Sequence, residues 1–272
     1  TVAELQQKTV EIIAAELRRI GLSPHTVGRL CRMAMLWEVY TTPKPGLVDR
    51  NNTGSHRDMD VELFEKSSRA LEGYFAACTE VGEEKHGLEP YSLLKYLRPL
   101  GREAERVMLE TTGGVNTHKG MIFSLGILCG ALGQFLGDHR KANVEGLCCR
   151  AGTVAMPALQ RDLAGLEGRE DLTAGERQYL AYGISGIRGE AASGFLSVQR
   201  YALPVLRHEL AAGADLSRAG SLALLSLIAH VTDTNMIARS SREVHRELQE
   251  KTAALLAGPE PPSEEAIRAL DA

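Results

Sequence analysis

An all-α fold is what this sequence predicts: a compact multi-helix domain with its functional groups gathered at helix ends. Three observations lead there. Apolar residues recur at three- and four-residue spacing through most of the 272 residues. Runs of alternating polar and apolar residues are scarce, and no hairpin turn sits between two of them. Aromatic residues make up only 5% while Leu and Ala are plentiful, which predicts a core of packed aliphatic helices.

The elements follow in order. Leu5, Ile12, Ile13 and Leu17 mark a first helix ending near Gly21. Ser23-Pro24 supplies a cap and first turn for a second, which runs to Tyr40 before Pro43 and Pro45 stop it. Residues 41–59 read as a loop dense in polar groups. Helical patterns resume over Asp60–Glu84, Tyr91–Thr111, His118–Leu136 and Asn143–Leu163. A mobile, charged hairpin is expected over Ala164–Leu172. Further helices are expected over Thr173–Ser185, Glu190–Ala211, Ser217–Asp233 and Asn235–Leu256. The pattern thus divides into one helical domain over 1–257 and, over 258–272, a linker with a short terminal helix.

Composition narrows the function classes. The net charge is −4, with no basic tail and no long Lys/Arg cluster, which argues against nucleic acid as a partner but leaves room for a small anion on a local group of cations. Gly120–Gly137 carries no charge and approaches the roughly 20 apolar residues of a membrane helix. Gln134 and five glycines dilute it, and Gly126, Gly130 and Gly133 form a small-residue face, so a central buried helix is expected rather than a membrane partner. The five cysteines are odd in number and contain no CxxC, which predicts buried, reduced thiols. Val2 to Arg19 is charged and amphipathic rather than a secretory leader, so a cytoplasmic location is expected. Apolar helices with small-residue faces make a homodimer plausible.

Four polar constellations could carry chemistry. In the first, residues 43–60 (PKPGLVDRNNTGSHRDMD), two prolines and two glycines set an irregular backbone between ionisable groups. Lys44 and Arg50 could meet phosphates, while Asp49, Asp58 and Asp60 could hold a hard divalent cation. The plainer alternative is a connector in which Asp58 or Asp60 caps the next helix. In the second, residues 111–120 (TTGGVNTHKG), a glycine-rich turn enters the uncharged helix and offers backbone N–H groups and Lys119 to a phosphate. Asn116 and Thr117 are candidates for substrate binding there, the plainer alternative being that one of them is a simple cap, and the spacing is not that of a Walker loop. In the third, residues 183–195, Arg188 could hold a phosphate or carboxylate and Glu190 a metal or hydroxyl, or the two could form a plain ion pair. In the fourth, His230, Asp233 and Thr234 share a helical face, followed by Asn235. An ionised Asp at the end of an apolar helix needs a cation or metal, so Asp233 and Asn235 are candidates for ligand or metal binding.

Taken together, PKPGLVDRNNTGSHRDMD, GGVNTHKGMIFSLG, GIRGEAASGF and DTN resemble the motif series of the triphosphoribosyl-dephospho-coenzyme A synthases, over roughly Val27–Arg242. Ser55 departs from the small residue such as Ala expected there. The resemblance implies a pentosyltransferase that takes ATP and 3′-dephospho-coenzyme A, gives the 2′-triphosphoribosyl adduct and releases adenine. The product would serve the prosthetic group on the acyl carrier protein of citrate lyase or malonate decarboxylase. It further implies Mg²⁺ with the triphosphate and cations from Lys44, Arg50, Lys119 and Arg188. Asp58, Asp60, Glu190 and Asp233 would divide metal binding and base duty, with His56 or His118 as proton donor. Two other readings use the same residues. A metal-dependent phosphohydrolase or ribosylhydrolase would act on ATP alone, though the HD dipeptide of helical phosphohydrolases is absent. A non-catalytic nucleotide-binding protein would bind ATP without forming adenine.

Overall fold

The computed structural model describes residues 21–271, and among them every regular element is helical. The expected first helix, with Leu5, Ile12, Ile13 and Leu17, lies outside the described residues. Helix α1 (Pro24–Tyr40) opens as the sequence predicts: the Ser23 hydroxyl accepts the Thr26 N–H at 3.2 Å and Pro24 occupies the first turn. Helix α2 (Val61–Glu84) is capped by Asp60, whose Oδ1 accepts the Leu63 N–H at 2.9 Å.

Helix α2 is the hub, packing against α1, α3 (Leu94–Thr111) and α4 (Lys119–Gly137). Phe75, Leu71 and Met35 are wholly buried at the centre, with Ile122, Ile127 and Val154 beside them. Each large apolar side chain so buried contributes about 1.5–3 kcal/mol relative to exposure. The small-residue face of α4 makes this packing possible. A Cβ on Gly133 would stand 2.1 Å from the Thr79 carbonyl oxygen, and one on Gly82 would stand 2.1 Å from that of Gly130. Gly126 makes room for the Tyr74 hydroxyl, which donates to the Ile122 carbonyl at 2.9 Å. Gln134, fully buried, donates to the Leu88 carbonyl at 3.0 Å. Helix α4 is thus an interior element of the bundle, long and apolar as it is.

Helix α5 (Val144–Asp162) closes the bundle, and the segment after it is pinned by Leu166, which is 2% exposed. Helix α6 (Ala174–Tyr182) carries a capping box between Thr173 and Glu176 and ends at Gly183, whose φ of 69° suits a glycine. The single helix expected over Glu190–Ala211 is instead divided. Helix α7 (Gly186–Ala192) stops at Gly194 (φ 75°), where a Cβ would meet the Cys148 carbonyl oxygen of α5 at 2.8 Å. The chain then forms a π-helical stretch, Val198–Ala202, before α8 (Leu203–Ala211). Pro204, lacking an amide hydrogen, sits where the wide turn gives way to regular helix.

A second apolar cluster forms around Leu222 and Leu225 of α9 (Leu216–His230). The segment expected as one helix over Asn235–Leu256 is also divided, into α10 (Thr234–Arg239) and α11 (Arg242–Leu256), because Ser241 caps a fresh start by accepting the Val244 N–H. Helix α12 (Glu264–Arg268) seals the cluster with Ile267, which is wholly buried. Contrary to the expectation of buried thiols throughout, Cys149 is exposed; all five cysteines are unpaired.

Gly133→Ala tests the close approach of α2 and α4. A methyl group aimed at a carbonyl has nowhere to go, so the variant should lose about 1–3 kcal/mol, read as a lowered midpoint in thermal or urea melts.

Candidate active site

The loop between α1 and α2 is built around Asp49. This carboxylate is 3% exposed and faces four donors from its own loop. Its Oδ2 accepts from the Thr42 hydroxyl at 2.7 Å and the Lys44 N–H at 3.0 Å; its Oδ1 accepts from the N–H groups of Asn51 and Asn52 at 2.7 and 3.1 Å. Burial pushes its pKa up, but the bonds from Thr42, Asn51, Asn52 and Lys44 together outweigh it and hold the group below the usual carboxylate value. The loop doubles back at Gly46 and Gly54, so close that a Cβ on Gly54 would lie 2.4 Å from the Gly46 carbonyl carbon. Its other face is bolted to α9. Ser217 accepts from the Thr42 N–H and donates to the Thr42 carbonyl, and Ser221 donates to the Pro43 carbonyl, at 2.8–2.9 Å. Val48 and Met59 pack beneath on Val39, Phe64 and Val115, which joins this loop to the turn before α4.

These contacts give several expected ligands partners within the protein itself. Asp49, expected on a metal, organises the loop. Lys44, expected on phosphate, is 4% exposed and donates to the Glu38 carboxylate and carbonyl at 2.6 and 2.7 Å. Asp60 takes the capping role left open in the sequence. The outward groups of the loop are Arg50, His56, Arg57 and Asp58. Arg50 is exposed, its guanidinium 4.3 Å above the Tyr40 ring, and Tyr40 in turn donates to Glu65. His56 lies with both ring nitrogens 2.7 and 2.8 Å from Nη1 of Arg239 on α10. Burial and the Arg239 charge push its pKa down against the opposing pull of Asp58, so the ring is neutral and accepts from Arg239. Asp58 stands 4.0 Å from His56 with its side chain 62% exposed.

In the turn before α4, Thr112 accepts no ligand role but donates to the Met108 carbonyl, and Gly113 and Gly114 take φ of 65° and 93°. Asn116 caps, accepting the Lys119 N–H at 3.2 Å. Thr117 donates to Ser67, which is bonded to His118 Nδ1 at 2.8 Å. With Thr117 donating to Ser67, the Ser67 proton is directed to Nδ1 and the imidazole proton falls on Nε2. His118 is 2% exposed, its ring edge-on to Phe64, and Nε2 has no partner among the described residues. Burial pushes its pKa down to about 4, so no imidazolium exists there at neutral pH to serve as proton donor. Lys119 is paired with Glu105 of α3 at 3.0 Å on an exposed face.

Arg188 and Glu190 do not pair with each other. Arg188 donates to Asp162 at 3.1 Å, and Arg98 of α3 shares the same carboxylate at 3.1 Å. Glu190 accepts from the Ser197 N–H at 3.0 Å and from the Ser197 hydroxyl, holding the start of the π-helical stretch. Asp233 accepts the Met236 N–H at 3.0 Å at the head of α10, and its own N–H donates to His245 at 2.9 Å. The side chain of Asn235 lies outside what is described. His230 stacks on Tyr201 with centroids 4.3 Å apart.

The structure therefore joins the first and fourth constellations through His56 and Arg239, the first and second through Val48 and Val115, and the third and fourth where Thr234 approaches Gly186. It does not assemble the expected metal set of Asp49, Asp58, Asp60, Glu190 and Asp233. No three His, Cys, Asp or Glu side chains among the described residues are placed to hold a metal ion. The reason is visible in the bonds above: four of those five carboxylates accept local backbone N–H groups. Sequence reasoning missed Tyr40, Ser67, Ser217 and Ser221, since hydroxyls in helices carry no spacing signal, and it noted Arg239 beyond the fourth constellation without giving it a role.

Comparison with known proteins agrees with the motif series. The model of the CitG family, described as ATP:dephospho-CoA triphosphoribosyl transferase, matches residues 24–272. The chain is 40% identical over 247 residues to a probable 2-(5''-triphosphoribosyl)-3'-dephosphocoenzyme-A synthase of Pectobacterium carotovorum, covering 91% of this chain and 81% of that one. It is 42% identical over 226 residues to the synthase of Pectobacterium atrosepticum, covering 83% and 74%. For the synthase of Klebsiella pneumoniae the identity is 37% over 248 residues, covering 91% and 82%. No solved structure matches the chain significantly.

Two stability measurements test the buried groups. His118 is neutral when folded down to about pH 4 but titrates near 6.5 when unfolded, so its contribution is complete above 6.5 and is lost as pH falls towards 4. The loss is on the order of 3 kcal/mol, and His118→Gln should flatten that limb of the curve. Asp49→Asn sets an amide NH₂ against donors and should cost about 2–3 kcal/mol at pH 7 in urea melts. Because the Asp49 pKa is depressed on folding, this deficit should shrink as pH falls below about 4.

Proposed function

The chain belongs to the CitG family of ATP:dephospho-CoA triphosphoribosyl transferases, and on that footing we propose how its loop surface carries out the transfer. The reaction joins the triphosphoribosyl part of ATP to 3′-dephospho-CoA and releases adenine. In the proposed reaction the 2′-hydroxyl of the acceptor attacks the ribose C1 of ATP. The C–N bond to adenine breaks, the hydroxyl proton passes to a protein base, and adenine leaves with a proton. Positive charge develops on the ribose as that bond stretches, so a carboxylate close by is favourable as well as basic.

Asp58 is the residue that fits. Of the five carboxylates considered for metal or base duty, it alone accepts no backbone or hydroxyl hydrogen bond among the described residues, and it stands exposed beside His56. That is the observation on which the assignment rests. Burial, with the Arg239 charge, holds the His56 pKa down, which lets the ring relay or accept a proton beside Asp58. Arg50, Arg57 and Arg239 are the cations proposed for the triphosphate, in place of the buried Lys44. Arg50 is pre-oriented on Tyr40, which lowers the ordering cost of meeting a phosphate. Mg²⁺ is proposed to enter with ATP as part of the substrate, since the described carboxylates do not form a site for it. Glu190 and Arg188 then act as positioning residues at the junction of α7 and α5. Two further parts of the proposal rest on the sequence alone: a product that supplies an acyl carrier protein's prosthetic group, from the motif series, and a cytoplasmic location.

Mass spectrometry of the products from ATP, Mg²⁺ and 3′-dephospho-CoA is the direct test. The triphosphoribosyl adduct and adenine should appear in equal amounts; adenine or phosphate from ATP alone would mean a hydrolase. Asp58→Asn should lower kcat by about 10²–10⁴-fold with the far-UV spectrum unchanged. Arg50→Ala should raise the KM for ATP by about tenfold or more, as befits the loss of a charge-assisted bond. Wild-type turnover in Asp58→Asn would remove that residue from the chemistry.

A further inference from the structure

Three of the five cysteines converge in the main core, one from each of three helices: Cys31 of α1, Cys78 of α2 and Cys129 of α4. The sulfur atoms of Cys31 and Cys129 lie 3.4 Å apart, thiol against thiol, although 98 positions separate them in sequence. Cys78 stands close by, but its thiol is hydrogen-bonded with the Tyr74 hydroxyl. The reaction proposed above uses none of the three.

Their surroundings are unequal. Cys129 is 3% exposed, and its bond with Cys31, together with burial, holds its pKa well above the usual thiol value. Cys78 is wholly buried, and burial pushes its pKa up to about 12. Cys31 is only half-buried, so it is the member of the cluster that a small solute can reach. The pair also joins two elements with little else between them. Helices α1 and α4 each pack chiefly against α2 and touch each other only narrowly. Cys31 lies nine residues before Tyr40 and Cys129 ten residues after Lys119. Both are thus about 14–15 Å along their helices from the ends that carry the first and second constellations.

We propose that Cys31 and Cys129 are a site of reversible covalent modification, an interhelix disulfide formed with hydrogen peroxide as the oxidant and opened again by thiols. The Cys31 sulfur, its proton lost to solvent, attacks one peroxide oxygen. The O–O bond breaks, Cys31 becomes a sulfenic acid, and the departing hydroxide takes a proton and leaves as water. The Cys129 sulfur then attacks the Cys31 sulfur. The S–O bond breaks as the S–S bond forms, and the Cys129 proton goes to the departing oxygen, giving a second water. Two thiols are oxidised and one peroxide is reduced. Closing to the bonded separation of about 2 Å needs a movement of about 1.4 Å, which two side chains can share by rotating. The product ties α1 directly to α4 and shortens the unfolded chain across the whole interval between them. The oxidised fold is therefore the more stable one.

The test is mass spectrometry and thermal melting of the full chain, reduced, freed of reductant and treated with a small excess of hydrogen peroxide. After alkylation and digestion without reduction, a peptide pair joined through Cys31 and Cys129 should appear and should vanish with dithiothreitol. The melting midpoint should rise by about 4–10 °C relative to Cys31→Ser treated alike, and the rise should also be lost with dithiothreitol. Cys31→Ser changes a half-buried position and keeps the comparison available if the harsher Cys129→Ser fails to fold. Cys149→Ser, at an exposed thiol, should leave both the cross-link and the rise intact. A cross-link from Cys31 to Cys78 overturns the proposal, as does oxidation confined to Cys149. So does a Cys31–Cys129 bond that leaves the midpoint unchanged or lowers it, since the pair would then close only in a distorted chain.

Discussion

A carboxylate buried with no cation against it is the constraint on which the site depends. Asp49 keeps its charge inside the loop because four donors converge on its two oxygens, and three of those donors are backbone N–H groups of the same loop. The loop cannot open locally without stranding a desolvated anion, at a cost of about 1–3 kcal/mol or more for a charged group. The side chains that follow, exposed at Arg50, Arg57 and Asp58 and half-buried at His56, therefore sit on a rigid rim rather than a mobile connector. Ser217 and Ser221 extend the same constraint to α9, and Gly220 permits it, since a Cβ there would lie 2.8 Å from the Thr41 hydroxyl. One side of the loop is thus set by its own carboxylate and the other by a helix more than 170 residues away in sequence.

The helical content and most helix boundaries were legible in the sequence because they rest on local signals. Ser23-Pro24 caps α1, and Asp60 and Asn143 cap α2 and α5. The glycine face of Gly126, Gly130 and Gly133 does seat α4 against its neighbours. The two long helices that proved divided show where periodicity misleads. Apolar spacing continues across Gly194-Phe195 and across Ser240-Ser241, but a left-handed turn at the first and a serine cap at the second restart the chain. A pattern of hydrophobic residues records which face is inward, not whether the backbone is continuous.

The positions of the polar clusters were legible too, whereas the duties of individual charges were not. Lys44, Asp49, Asp60 and Glu190 were all reasonable ligands by type and neighbourhood. Each instead meets a partner within seven residues: Glu38, the loop amides, the Leu63 N–H and Ser197. A charged residue in a rigid turn is as useful for holding the turn as for holding a substrate, and residue type alone does not separate the two uses. Arg239 shows the converse. Its importance follows only from lying 2.7 Å from a histidine 183 positions away.

This division between inward and outward charges has a physical logic. A polar cluster built to meet a triphosphate must tolerate its absence, when a rim of bare arginines would repel itself and soften the loop. Turning Lys44 inward to Glu38 and Asp49 inward to backbone donors removes those charges from the rim and converts them into supports that do not depend on ligand. The remaining outward cations are individually restrained, Arg50 by the Tyr40 ring and Arg239 by a neutral imidazole. Neither partner cancels their charge, so both stay attractive to phosphate while losing little freedom on binding it. The Tyr96 ring flanks Lys95 on α3 in the same way. Restraint without neutralisation is what distinguishes these surfaces from the ordinary ion pairs at Arg106 or Arg268, whose charges are already answered on their own helices.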